Sequence, residues 1–194
     1  MSRLLLIAVI FLGLGYSLYI NHQKQGAEAA REAALEQRMT NAVAAMASRA
    51  NANTDWAARL AGHGIVRLSP IMSAELQKVW TPDRPILFVG SIRDIAKNED
   101  GSFQLKISYD PWGRIGGYIF PATDLRVNLR CPESVAAPLL SHLKSRRRAD
   151  IRSDAAAIAI IESIVMSEQD ADGSETVVLT GIGNCSNALL LEDY

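Results

Sequence analysis

The sequence predicts an all-β-dominated domain, a small Greek-key barrel of five strands plus one helix, preceded by an N-terminal transmembrane helix and an α-helical stalk. Three observations lead there. The run from Leu4 to Ile20, LLLIAVIFLGLGYSLYI, contains no charge, amide or proline. The next segment, to about Ala61, is rich in alanine with interspersed charge and has no proline or glycine from residue 27 onward. Beyond Pro85 the apolar residues alternate with polar ones instead of recurring every three or four positions, which is the period of strands.

At about 1.5 Å per residue the apolar run makes a helix of roughly 25 Å, at the lower limit for crossing a hydrocarbon core of about 30 Å. A cleavable secretory signal is the competing reading, with Ser2 and Arg3 as its positive region and Ala27-Glu28-Ala29 as its cleavage motif. The run is longer than the apolar region of cleaved signals, and the motif lies far beyond Ile20. The expectation is therefore a retained anchor that meets the lipid bilayer through Leu4 to Ile20. Orientation does not follow from charge, because Arg3 precedes the run while Lys24, Arg31 and Arg38 follow it. Cysteine supplies the other argument. The only two, Cys131 and Cys185, suit a single disulfide in an exported domain, whereas in a reducing cytosol they read as two small buried hydrophobes. Beside a targeting segment the disulfide is favoured, and with it a single-pass protein of the cytoplasmic membrane whose C-terminal domain lies in the periplasm or outside the cell.

Four segments result: residues 1–21 as anchor, 22–61 as stalk, 62–84 as a short docking helix with a linker, and 85–194 as the barrel. In the stalk, alanine is the strongest helix former. Leu35, Met39, Ala42, Met46, Trp56 and Leu60 fall on a spacing of three and four, but the same register places Arg49 and Asn53 in the seam. That argues for a stalk helix with a weak apolar stripe that packs on the domain or a partner, and against a sustained coiled coil. Asn51 to Thr54 should break it, with Thr54 or Asp55 capping a last short turn. His63, between Gly62 and Gly64, reads as a turn residue. Ser69 and Pro70 then suit the start of a docking helix that carries Ile71, Met72, Leu76, Val79 and Trp80 until Pro82 and Pro85.

The barrel strands follow in order. Ile86 to Ile95 reads as a strand bent or bulged at Gly90. After the turn Lys97 to Gly101, Phe103, Leu105, Ile107 and Tyr109 alternate with polar neighbours to complete a hairpin. Tyr118 to Phe120 suggests a short strand, and Leu125 to Cys131 a third long one. A helix is expected to start near Pro138 and end at Arg146-Arg147-Arg148, where cations complement the helix dipole. Ile158 to Met166 and Val177 to Ile182 then form a second hairpin around the acidic turn Ser167 to Ser174.

Three strands, a helix and two strands, with glycine inside the first, is the order of a small barrel of the oligonucleotide/oligosaccharide-binding (OB) type. In that order the third and fifth strands are neighbours, which brings Cys131 and Cys185 within reach of one another. Over roughly residues 70–194 the chain resembles the bacterial tRNA-anti-like OB domains. The likeness rests on Ser73-Ala74-Glu75-Leu76, on PILFVGSIRDI as the first strand and on TVVLTGIGNCSNALLLE at the end. It implies kinship of fold with anticodon-binding domains without implying tRNA binding, in a family whose members are often anchored or exported. The stretch between Asp110 and Leu125 is a long insert relative to that pattern.

No constellation points to catalysis, to a metal or to a cofactor. His22, His63 and His142 are far apart, and HExxH, CxxC and GxSxG are missing from the sequence. Gly181-Ile182-Gly183 follows a strand where a phosphate loop must open a helix, so it reads as a bend. Glu168, Asp170 and Asp172 before Gly173 resemble a calcium loop, but its distal glutamate is replaced by Leu179. Asn184-Cys185-Ser186 is a sequon with cysteine at its centre and carries no weight. From Arg84 to Tyr194 there are 12 Lys/Arg and 15 Asp/Glu, a balance of −3, where a nucleic-acid binder shows a basic excess. The expected activity is that of a binding or scaffolding module with a membrane or periplasmic protein partner, an oligosaccharide- or nucleic-acid-binding barrel being the alternative. Candidate contacts are Trp112, Tyr109 and Tyr118, whose rings stack on ligands or fill the barrel's end, and Lys106, Arg126 and Arg130 on the strand-two and strand-three face.

Retention of the anchor has a direct test. The chain should stay in the membrane pellet after carbonate extraction, and a reporter fused after Tyr194 should be active only in the exported compartment. Cytosolic activity of the fusion would overturn both the orientation and its disulfide argument.

Overall fold

The computed structural model describes residues 2–62, 76–80, 84–109, 123–145, 153–171 and 174–191. Residues 1–39 fall in one compact unit and residues 40–193 in another. A single helix, α1 (Ser2–Arg49), begins in the first and ends in the second. The side chains of Leu4 to Ile20, on which the expected span rests, lie outside the described residues; among the described residues no helix is long and apolar enough to cross a membrane. Residues 25–34 are exposed on every side. Farther along, Val43, Met46 and Ala47 are buried while Asn41, Ala44 and Ala45 are exposed, so the apolar stripe passes through Val43 more than Ala42.

The helix ends where expected, by a Schellman arrangement. Asn51 takes a left-handed conformation (φ 48°), its N–H donates to the Ser48 carbonyl at 3.1 Å, and the Ala52 N–H reaches the Ala47 carbonyl at 2.9 Å. Asn53 then leaves the helix altogether and behaves as a strand residue. Its N–H donates to the Pro85 carbonyl at 2.7 Å and its carbonyl accepts from Leu87 at 3.0 Å, in a parallel bridge to Ile86. Its side chain, 5% exposed, donates to the Val79 carbonyl at 3.3 Å and accepts from the Asp55 N–H at 3.2 Å. Asp55 opens α2 (Trp56–Gly62), its carbonyl accepting the Arg59 N–H at 3.0 Å. Of the expected docking helix, residues 76–79 are helical, with Leu76, Val79 and Trp80 buried; its start, with His63, lies outside the described residues.

Five strands close into a barrel in the order β1-β2-β3-β5-β4, as an OB-like fold requires. They are β1 (Ile86–Lys97), β2 (Phe103–Tyr109), β3 (Thr123–Cys131), β4 (Asp154–Ala171) and β5 (Ser174–Leu190), and α3 (Glu133–Ser145) connects β3 to β4. All neighbours are antiparallel except β3 and β5, which pair in parallel over Thr123–Arg130 and Val177–Asn184. β1 belongs to two ladders. Gly90 and Ser91 pair simultaneously with Tyr109 and Ser108 of β2 and with Ala155 and Asp154 of β4. A Cβ at Gly90 would lie 2.0 Å from the Ser108 carbonyl oxygen, so the close approach demands glycine there. The register irregularity expected at Gly90 lies instead between Ile92 and Asp94, just after the strand leaves β4.

Alternation places Phe103, Leu105, Ile107, Leu125, Val127, Leu129 and Cys131 in a continuous core with Phe88, Ala155, Ala157, Ala159 and Ile161. Small alanines on β4 let the facing leucines and isoleucines interdigitate at interior density. One end is filled by rings. Trp56 stacks on Phe88 (5.7 Å, 4°) and meets Trp80 and Tyr109 edge-on at 5.3 and 5.4 Å, while its indole N–H donates to the Leu87 carbonyl at 2.8 Å. Each such ring pair contributes about 0.5–1.5 kcal/mol beyond burial.

Three boundaries differ from the sequence expectation. α3 starts at Glu133, not near Pro138, because the Pro132 carbonyl accepts the Val135 and Ala136 N–H groups and begins the turn. Pro138 sits inside the helix on its exposed side, where the bond it cannot make costs least. The acidic segment expected as a turn is strand: Ser167 pairs with Val178 and Ala171 with Ser174, which leaves only Asp172 and Gly173 between the two strands. β5 likewise continues through Gly181 and Gly183, which were expected at a bend. A Cβ at Gly183 would meet the Ile160 carbonyl at 2.0 Å, so the glycine admits the bulge between Ile161 and Ser163. The Tyr118 to Phe120 strand and the Arg146 to Arg148 cluster lie outside the described residues.

Two substitutions test this architecture. Gly90→Ala should destabilise the barrel by at least about 2 kcal/mol, since backbone on a facing strand must move. Asn53→Ala should cost about 1–3 kcal/mol by leaving a buried carbonyl and an N–H without partners. Urea unfolding followed by tryptophan fluorescence reads both.

Candidate ligand groove

Strand pleating turns the polar half of each alternating pair outward, and the barrel register lines these residues up across strands. Gln104 of β2 pairs with Arg130 of β3, Arg130 with Asn184 of β5, and Asn184 with Ile160 of β4. The next rung holds Lys106, Asn128 and Ile182. Together with Asn98 and Asp100 of the β1–β2 turn and Glu162 of β4, most of these residues line an open groove of about 500 Å³. The turn that forms its end is tightly built. Asn98 donates from its backbone to the Ser102 carbonyl at 2.8 Å, Asp100 accepts from the Ser102 N–H at 3.0 Å, and Gly101 supplies the positive φ of 84°.

The three cations expected on this face are each held by a carboxylate. Lys106 Nζ lies 2.9 Å from Asp94 Oδ2, Arg126 Nε donates to Asp124 Oδ2 at 2.8 Å, and Arg130 pairs with Asp100 while its Nε reaches Ser102 Oγ at 3.2 Å. Asp124 in turn accepts from the buried Ser108 hydroxyl at 2.8 Å, which fixes Arg126 against the barrel wall. Pairs as exposed as Lys106 with Asp94 contribute about 0–1 kcal/mol to stability. Their consequence is electrostatic: the face carries almost no net charge.

What remains for recognition is hydrogen bonding. Gln104 donates to Asn128 and Asn184 to Glu162, so the amides form oriented pairs with further donors and acceptors to offer. Beside them Ile160 and Ile182 are 38% exposed, and Val165 and Met166 are exposed on β4. A second cavity, of about 430 Å³, lies between Gln77, Trp80 and the β4 stretch Ile161–Ile164. The ring of Trp80 there leans on Gly181, where a Cβ would come within 2.6 Å, and its buried indole N–H has no hydrogen-bond partner among the described residues. Among the described residues no group of three or more His, Cys, Asp or Glu is placed to hold a metal ion.

Of the aromatic candidates, Tyr109 is half-buried in the ring cluster with Trp56 and Phe88, on the packing side of the choice left open by the sequence. Trp112 and Tyr118 lie outside the described residues. The sequence reading missed Gln104, Asn128 and Asn184. Alternation marked the first two as outward-facing, but only the parallel β3–β5 register brings Asn184 beside them.

A neutral face has a measurable outcome. The detergent-solubilised chain should show no binding to single-stranded DNA or RNA at physiological ionic strength, because no unpaired basic track is available along β2 and β3 to displace counterions. Micromolar binding that falls steeply with added salt would contradict this. No family model matches the chain, and comparison with curated proteins and solved structures likewise returned no match.

Proposed function

We propose that this protein is a binding or scaffolding module without catalytic activity, a small OB-like barrel carried on a helical stalk and anchored in the cytoplasmic membrane through Leu4 to Ile20, with the barrel outside. Its partner is a membrane or periplasmic protein. One observation carries this reading: Ile160, Val165, Met166 and Ile182 are exposed on β4 and β5, and Ile182 lines a groove of paired charges and amides. Apolar side chains rimmed by satisfied polar groups are the composition of a protein interface, and larger exposed patches mark sites of association. The resemblance to the tRNA-anti-like domains implies kinship of fold, without implying tRNA binding, in a family whose members are often anchored or exported.

A second reading has its own support. The amides of Gln104, Asn128 and Asn184 offer donor and acceptor pairs suited to vicinal hydroxyls, so an uncharged oligosaccharide is the alternative ligand.

Crosslinking in intact membranes followed by mass spectrometry separates the two. A partner protein captured by the unaltered chain should be recovered about tenfold less with Ile182→Asp, which places a charge in the apolar part of the interface. Retention on a neutral glycan, lost in the double variant Asn128→Ala, Asn184→Ala and indifferent to Ile182→Asp, would replace the protein partner by the sugar.

A further inference from the structure

Cys131 is the last residue of β3 and Cys185 lies within β5, each one step beyond Arg130 and Asn184, which pair directly in the parallel ladder. Continuing that register sets the two cysteines opposite each other. Neighbouring strands lie about 4.8 Å apart, inside the roughly 4.4–6.8 Å between Cα atoms that a disulfide needs. Both side chains belong to the barrel core, 0% and 4% exposed, and both are reduced thiols in this structure. Cys131 Sγ lies 3.9 Å from the Leu129 carbonyl and Cys185 Sγ 3.4 Å from the Asn187 carbonyl, both within the same wall of the core.

We propose that Cys131 and Cys185 form a disulfide that staples the β3–β5 seam directly beneath Arg130 and Asn184, and that it is made during folding by exchange with a small-molecule disulfide such as oxidised glutathione. One cysteine thiolate attacks a glutathione sulfur, forming a mixed disulfide and releasing one glutathione thiolate. The second cysteine thiolate then attacks the protein sulfur of that mixed disulfide and releases the other. The two protons lost by the cysteines end on the two glutathiones, so two protein thiols are oxidised while one glutathione disulfide is reduced.

Timing follows from the surroundings. In the closed barrel, the hydrogen bond from Cys185, followed by burial, pushes the Cys131 thiol far above its ordinary range. The nucleophilic thiolate is therefore scarce and shielded once the seam has formed, and exchange belongs to the stage before β5 docks. The staple would fix the spacing of Arg130 and Asn184 across the groove, although the proposal stands independently of which ligand the groove takes.

The test refolds the full-length chain in detergent from denaturant, once with a mixture of oxidised and reduced glutathione and once under a strong reductant. Peptide mapping without reduction should then find a single Cys131–Cys185 pair, two hydrogens lighter than the free peptides, in the first sample only. Closing a loop of about 50 residues should lower the unfolding equilibrium constant of the oxidised chain by roughly 10²- to 10³-fold relative to the reduced chain, a difference that vanishes in Cys131→Ala. Two alkylatable thiols after oxidative refolding, or a linked chain no more stable than the reduced one, would overturn the proposal. If Cys131→Ala fails to fold, the mapped link and the oxidised-to-reduced comparison in the unaltered chain decide it alone.

Discussion

β3 and β5 run parallel over eight paired positions, and without that pairing the five strands would form an open sheet with two bare edges. Much of the rest depends on this seam. A parallel pair cannot be joined by a hairpin, so the chain must leave β3, cross, and come back through β4. α3 occupies that connection and lies against β5 and β2, burying Ala136 and Leu139 in the core. The seam also sets which residues meet on both sides of the wall. On the inside it brings Cys131 to Cys185; on the outside it brings Arg130 to Asn184 and builds the floor of the groove.

Closing so small a ring forces backbones together, and the sequence answers with glycine. Gly90, Gly181 and Gly183 each stand where a side chain would collide with a facing carbonyl or ring. The space saved at Gly181 receives Trp80, and Trp80 meets Trp56 and Phe88 in the cluster that fills one end of the barrel. Asn53 ties this end to the chain before it. A single buried residue pairs with Pro85, Leu87, Val79 and Asp55, and so joins the end of α1, the start of α2 and the first strand through four hydrogen bonds.

Charge on the barrel is arranged locally. Each cation of the β2–β3 face has its own carboxylate, two from turns or neighbouring strands and one two residues away on the same strand. Such pairs contribute little to stability, but they cancel the long-range field that draws in a polyanion. Recognition then falls to amides and exposed aliphatic side chains, whose reach is short and whose selectivity is geometric.

The strand periodicity, the connecting helix and the break after α1 were all legible in the sequence, because alternation of two, an amphipathic segment and a cluster of Asn and Thr are local signals that burial reinforces. The barrel order was legible too, since few topologies accept three strands, a helix and two strands. Boundaries were not. The acidic residues Ser167 to Ala171 look like a loop, yet cross-strand pairing holds them in a ladder, and Pro138 looks like a helix start although the Pro132 carbonyl begins the turn. The groove was least visible. Charged residues on β2 and β3 advertise a basic face in the sequence, and only tertiary structure brings up Asp94 from β1 and Asp100 from the β1–β2 turn to neutralise it. The sequence by itself determined which residues face in and which face out; register, which depends on pairing between segments more than 50 residues apart, decided which outward residues share a surface.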